Sequence, residues 1–180
     1  MKLLLKNGFL IDYATNTQKK TDILIEDNKI KRIEENITDS ADNIINCEGL
    51  SIIPGMIDIH CHLREPGYEY KETIETGANS AVKGGFTTIC PMPNTNPTLD
   101  STIVLQKIIE KAKEVAKCNV LPYASVTKGE KGEELVDFAE LQKAGAIAFS
   151  DDGIPVANSR IMREAIIKAY NLRYFCCITL

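Results

Sequence analysis

Long apolar runs, a basic patch and C-x-x-C cysteine pairs are all missing from this chain of 180 residues, and each absence removes a class of function. No stretch approaches the roughly 20 apolar residues of a membrane span. The Met1-Lys2-Leu3-Leu4-Leu5 start breaks at Lys6-Asn7-Gly8, too early for a signal-peptide core. The 21 basic side chains are scattered among 25 acidic ones, giving a net charge of -4 and an isoelectric point near 5.3. That balance excludes a nucleic-acid-binding stripe. With no secretion signal, the six cysteines (Cys47, Cys61, Cys90, Cys118, Cys176 and Cys177) read as free thiols of a soluble, cytoplasmic protein. Histidine occurs only twice, at His60 and His62.

A hydrophobic content of 44% is enough to bury a core. Residues 1–50 read as a small β-rich domain, with a hairpin turning at Asp27-Asn28, another turn at Asn7-Gly8 and a close at Gly49. From residue 51 strands alternate with helices. The apolar run Ser51 to Ile57 predicts a buried strand leading into Asp58-Ile59-His60-Cys61-His62. A helix is expected over Glu72 to Lys83, stopping at Gly84-Gly85. A second strand, Phe86 to Cys90, precedes the loop Pro91-Met92-Pro93-Asn94. A helix capped by Asp100 or Ser101 places Leu105, Ile108, Ile109, Ala112, Val115 and Ala116 on one face. A third strand is expected over Asn119 to Val126, then a short helix carrying Leu135, Phe138 and Leu141 that ends at Gly145. A fourth strand, Ala146 to Phe149, runs into Ser150-Asp151-Asp152-Gly153. Ser159 is expected to cap a last helix that buries Ile161, Ala165, Ile166 and Ala169, and Tyr174 to Leu180 opens a fifth strand.

Repeated βα units imply a parallel sheet. The histidine pair, Asn94 and Asp151-Asp152 all fall where strands give way to loops, the rim at which barrel enzymes keep their chemistry. The expected fold is therefore α/β: an incomplete (β/α)8, TIM-type barrel of four to five strands over residues 51–180, preceded by the β-rich domain. Residues i and i+2 of a strand share a face, so both imidazoles can reach one ion. Two solvent-facing histidines at a strand end would have the same spacing. Cys61 points to the opposite face.

The blocks Gly55-Met56-Ile57-Asp58-Ile59-His60-Cys61-His62-Leu63-Arg64-Glu65-Pro66-Gly67, Lys71-Glu72-Thr73-Ile74-Glu75-Thr76-Gly77, Gly84-Gly85-Phe86-Thr87-Thr88, Met92-Pro93-Asn94-Thr95 and Phe149-Ser150-Asp151-Asp152-Gly153 closely resemble, in this order and spacing, the dihydroorotases of the amidohydrolase superfamily. The resemblance implies a hydrolase of pyrimidine biosynthesis that interconverts dihydroorotate and N-carbamoyl-aspartate at a pair of zinc ions. It implies that His60 and His62 bind the first zinc and that Asp152 bridges to a second. Zinc acidifies water and polarises a carbonyl, although manganese, cobalt or iron would also suit such ligands. Many members of the superfamily bridge their metals with a carboxylated lysine, but residues 146–152 contain none, as in the members that use aspartate.

Arg64 and Asn94 match the family's substrate contacts, a fork and an amide suited to a carboxylate. Arg64 could instead pair with Glu65, and Asn94 could be a turn residue. Asp58 and Asp151 are expected to orient the site from behind the ligands. Asp151 could equally cap loop amides. Hydantoinases and allantoinases share the scaffold without the need for arginine at position 64. A non-catalytic remnant that partners aspartate transcarbamoylase, or a homo-oligomer, is a further reading.

The family's remaining histidine ligands, from strands 5 and 6, and its general base, from strand 8, have no counterpart here, so the chain reads as an inactive piece with poor metal affinity. Arg173 to Leu180 departs from the family pattern. One codon choice for that octapeptide, read one nucleotide later, encodes Gly-Ile-Phe-Val-Val-Ser-His and puts histidine in place of Thr179. The expectation is a reading-frame break near Leu172. Resequencing the gene through that codon checks it, and an open in-frame continuation with no strand 5 histidine in either frame would refute it.

Overall fold

The computed structural model describes residues 1–174, so the expected fifth strand lies almost wholly outside the described residues. The chain divides into two compact units, Met1–Pro54 and a second that begins at Gly55.

In the first unit, β1 (Lys2–Asp12), β2 (Thr17–Glu26), β3 (Lys29–Glu34) and β4 (Asn43–Asn46) form a sheet in the order β3-β2-β1-β4, with β5 (Ser51–Ile52) also pairing β1. The β2–β3 hairpin turns at Asp27 and Asn28, whose φ values of 49° and 61° suit the twist of paired strands. Asn7-Gly8 is not a turn. It is a bulge inside β1, where Asn7 takes a φ of 61° and its N–H donates to Asp22 Oδ1 at 2.8 Å. Sequence alone could not separate the two, because both use the same left-handed residues. A Cβ on Gly8 would fall 2.3 Å from Ile52 Cδ1, so a larger residue there would have to displace that side chain. The run expected as one strand is thus two: Ser51–Ile52 joins the first unit, and β6 (Met56–Cys61) starts the second.

The second unit is α/β. Its parallel sheet has the order β6-β7-β8, with β7 at Phe86–Pro91 and β8 at Asn119–Val120. Helix α1 (Ile74–Lys83) connects β6 to β7, and α2 (Thr102–Val115) connects β7 to β8. The third strand is far shorter than its composition suggests. Past Val120 the chain still donates from Leu121 N to Ile89 O and from Tyr123 N to Pro91 O, both at 3.0 Å, but Pro122 has no N–H to continue a ladder. The fourth expected strand is a bridged segment: Ala124 pairs with Phe149, Ala124 N donates to Ala148 O, and Ser150 N donates to Ala124 O. The sheet is not closed into a barrel. Among the described residues β6 is an edge strand, which explains why Ile57, expected to be buried, is 62% exposed, and Ile59 beyond it 67%.

Helix ends follow local chemistry. Thr73 caps α1 through a capping box with Thr76, and Gly85 takes a φ of 85° just beyond its end. Ser101 caps α2 without a side-chain bond, and Leu105, Ile108 and Ala112 are buried on the expected face. Asp137 caps α3 (Phe138–Ala144), which ends at Gly145 with a φ of 111°. Leu135 precedes α3 and is bridged to Thr127 instead. Asn158, not Ser159, caps α4 (Ser159–Asn171), because its carboxamide accepts from two backbone amides. Ala165 and Ala169 are buried there, while Ile166 is 46% exposed and lies off the core stripe. The core centres on Phe149, Ile74, Leu105 and Leu141. Among the described residues no helix is long and apolar enough to cross a membrane.

Glu65 ties the loop after β6 to both helices. Its buried carboxylate accepts from Ile74 N at 2.9 Å and pairs with Lys111 Nζ at 2.5 Å. Removing it leaves the Ile74 amide without its acceptor, while Lys111, half exposed, turns to solvent. Glu65→Ala should therefore cost about 3 kcal/mol in urea denaturation, and Glu65→Gln, which keeps an acceptor, clearly less.

Candidate metal centre

The strand period of two presents His60 and His62 side by side at the end of β6, with ring centroids 5.3 Å apart. Asp152 reaches them from the bridged segment. Its Oδ1 lies 3.0 Å from His60 Nε2 and its Oδ2 lies 3.9 Å from His62 Nε2. One ligand atom from each of the three residues falls within 4.8 Å of the others, which is the spacing of groups able to converge on one ion. Asp152 is mostly covered, whereas His60 is 44% exposed, so the group opens toward solvent on the histidine side.

The backbone at Asp152 has a φ of 48°, a conformation aspartate tolerates better than most residues. It is held there by its own N–H, which donates to Ser150 Oγ at 3.0 Å. Asp151 fastens the same turn from the other side. Its Oδ1 accepts from Val126 N at 2.7 Å and Thr127 N at 3.0 Å, and its Oδ2 accepts from Thr127 Oγ1. Asp151 therefore bonds loop amides and a hydroxyl, not an imidazole. Asp58 likewise accepts from the backbone, His60 N at 3.0 Å.

Asn94, at the end of β7, stands between two of the three ligand residues. Its Oδ1 is 3.1 Å from His62 Nδ1, and its Nδ2 donates to Asp152 Oδ2. Arg64 follows the histidines with a φ of 60°, a costly conformation for a bulky side chain and one that clusters at functional sites. It forms no ion pair with Glu65, whose carboxylate is taken by Lys111 and Ile74. The loops carrying Arg64 and Asn94 are locked together: Asn96 N donates to Pro66 O at 2.9 Å, and a Cβ on Gly67 would fall 2.1 Å from Asn96 O. Cys61 sits among partly buried core residues, and burial, reinforced by the charge of Asp58, pushes its thiol up to about 12. Cys61 is not among the residues whose ligand atoms converge.

One residue near the centre was not evident in the sequence. Glu130, in the turn Lys128–Glu130, is 7% exposed and its Oε1 has no hydrogen-bond partner. Nothing in the polar, glycine-flanked run Gly129-Glu130-Lys131-Gly132 marks it as buried.

Residues 49–177 match the family described as dihydro-orotase-like. The chain belongs to this family. It is 51% identical over 172 residues to a dihydroorotase of Aquifex aeolicus (strain VF5), covering 96% of this chain and 41% of that protein. It is 49% identical over 166 residues to a dihydroorotase of Ruminiclostridium cellulolyticum, covering 92% and 39%. The chain thus spans about 40% of the length of these dihydroorotases. Among solved structures, an L-hydantoinase from Arthrobacter aurescens superposes with a TM-score of 0.83 at 22% identity, over 96% of this chain and 39% of that one. A dihydroorotase crystal structure superposes with a TM-score of 0.62 at 16% identity, over 96% and 49%. At these identities the superpositions establish a shared fold.

Burial, then the charges of Asp151, Asp152 and Asp100, raises the Glu130 carboxyl from 4.5 to about 7. The folded chain then keeps a proton that the unfolded chain loses above about 4.5, so this group's contribution to stability falls as pH rises toward 7 and levels off beyond it. At about 1.4 kcal/mol per pH unit, Glu130→Gln should stabilise the metal-free chain by roughly 2–3 kcal/mol at pH 8 and by little at pH 4.5. Urea denaturation of both proteins at the two pH values checks this.

Proposed function

We propose that this chain carries the first part of a dihydroorotase-type metal centre and of the (β/α)8, TIM-type barrel that supports it. The observation that carries the reading is the convergence of His60, His62 and Asp152 within 4.8 Å at the ends of parallel strands. Two imidazoles and a carboxylate suit zinc, and the open histidine side leaves room for an ion to enter. His60, His62 and Asp152 would hold it. Bound zinc supplies Lewis acidity toward water and an amide carbonyl.

The rest follows from the chain's own residues. Arg64, free of any ion pair among the described residues, offers a planar fork to a substrate carboxylate such as that of dihydroorotate or N-carbamoyl-aspartate. Asn94, locked beside it through the Pro66–Asn96 contact, can share that carboxylate. The absence of lysine from residues 146–152 supports the aspartate-bridged subgroup over hydantoinase-like chemistry. Three ligand side chains suffice for one ion, not for a pair, and a general base is absent from the group. The remaining ligands and the proton-transferring carboxylate are assigned to the portion of the family fold that this chain does not span.

Titration of the purified 180-residue chain with zinc, followed by metal analysis after gel filtration, tests the site. At most one ion should bind, and His62→Ala or Asp152→Ala should abolish it. Hydrolysis of dihydroorotate by this chain should be undetectable. Binding that survives both substitutions would refute the site, and tight two-metal binding with turnover would refute the division of the centre.

A further inference from the structure

His62, Asn94 and Asp152 form a relay of two hydrogen bonds whose polarity is set by its last member. The carboxamide presents its donor, Nδ2, to Asp152 Oδ2. Its Oδ1 is then fixed toward His62 Nδ1, 3.1 Å away. An amide oxygen can only accept, so the bond exists only when Nδ1 carries the imidazole proton.

We infer that Asn94 is a positioning residue that sets the neutral tautomer of His62, holding the proton on Nδ1 and the lone pair on Nε2. The bare nitrogen is also the one on the Asp152 side, 3.9 Å from Oδ2, where the three ligand atoms converge. The inference rests on the metal-site reading for its purpose, but the tautomer is a property of the metal-free chain. It assigns Asn94 a role distinct from substrate contact. The two are compatible, because an amide nitrogen has two hydrogens and only one is spent on Asp152. One amide would thus orient a ligand ring, tether the carboxylate and still face an incoming anion. A second consequence follows for His60. Its backbone N–H is held by Asp58, and its ring is placed from the other nitrogen, Nε2 lying 3.0 Å from Asp152 Oδ1, with no side chain among the described residues accepting from Nδ1.

The test is long-range proton–nitrogen correlation NMR on the nitrogen-15-labelled, metal-free chain at a pH where imidazole is neutral, with His60→Gln used only to assign the two rings. Protonated and bare ring nitrogens are well separated in such spectra. His62 should be protonated at Nδ1. Asn94→Leu should shift it toward Nε2–H and weaken zinc binding about 10- to 100-fold, the usual scale for losing an orienting partner of a ligand histidine. Asn94→Asp, which keeps the acceptor and loses the donor to Asp152, should retain Nδ1–H. An Nε2–H tautomer in the unsubstituted chain, or an unchanged tautomer in Asn94→Leu, overturns the inference. If the tautomers behave as stated while zinc binding ignores His62 and Asp152, the relay stands and the metal-site reading falls.

Discussion

The buried carboxylate of Asp151 holds the second unit's functional end together. Regular strand pairing stops at Val120, and the segment leading to Asp152 is joined to its neighbour by one bridge and a few backbone bonds, Ile147 N to Pro122 O, Ala124 N to Ala148 O and Ser150 N to Ala124 O. Where those bonds end, the turn is fastened by the bonds from Val126 N, Thr127 N and Thr127 Oγ1 to one side chain. A buried carboxylate is tolerable only when its lone pairs are filled in this way. Because Asp151 faces back into the chain, the next residue, Asp152, is turned outward to meet the histidines. Two adjacent aspartates therefore divide the work: Asp151 anchors the turn and Asp152 faces the histidines.

Much of this was legible in advance. Helix faces with a 3.6-residue period, such as Leu105, Ile108 and Ala112, and glycine stops such as Gly145 follow from local rules and appear where expected. The histidine pair was legible because the strand period fixes which residues share a face. Less legible were features whose cause lies elsewhere in the chain. The bulge at Asn7-Gly8 depends on Asp22 and Ile52, the exposure of Ile57 on the lack of a neighbour beyond β6, and the burial of Glu130 on a turn that packs against acidic residues. The cap at Asn158 rather than Ser159 is a one-residue matter that composition cannot resolve, since both side chains are good caps. The double engagement of Asn94 was likewise invisible, as its partners are 32 and 58 residues away.

The centre is built with unequal rigidity. Asp152 and His62 are each tied to Asn94, and Asn94 sits in a loop locked to the one that carries Arg64. His60 is the most exposed of the three and is tied to Asp152 rather than to Asn94. Arg64 and Asn94 stand on the same locked pair of loops, so a shift in one loop would move both side chains together.

The position of β6 at the sheet edge gives these ligands a particular dynamic character. One side of the strand is hydrogen-bonded to β7, while among the described residues the other side has no strand beside it. Amides on the open side should exchange with solvent deuterium at nearly the rate of a loop, whereas those of β7, flanked on both sides, exchange only on larger openings. The histidines therefore ride on an edge strand of the sheet. A molecule that settles on them should slow exchange along β6, which links occupancy of the centre to cohesion of the strand.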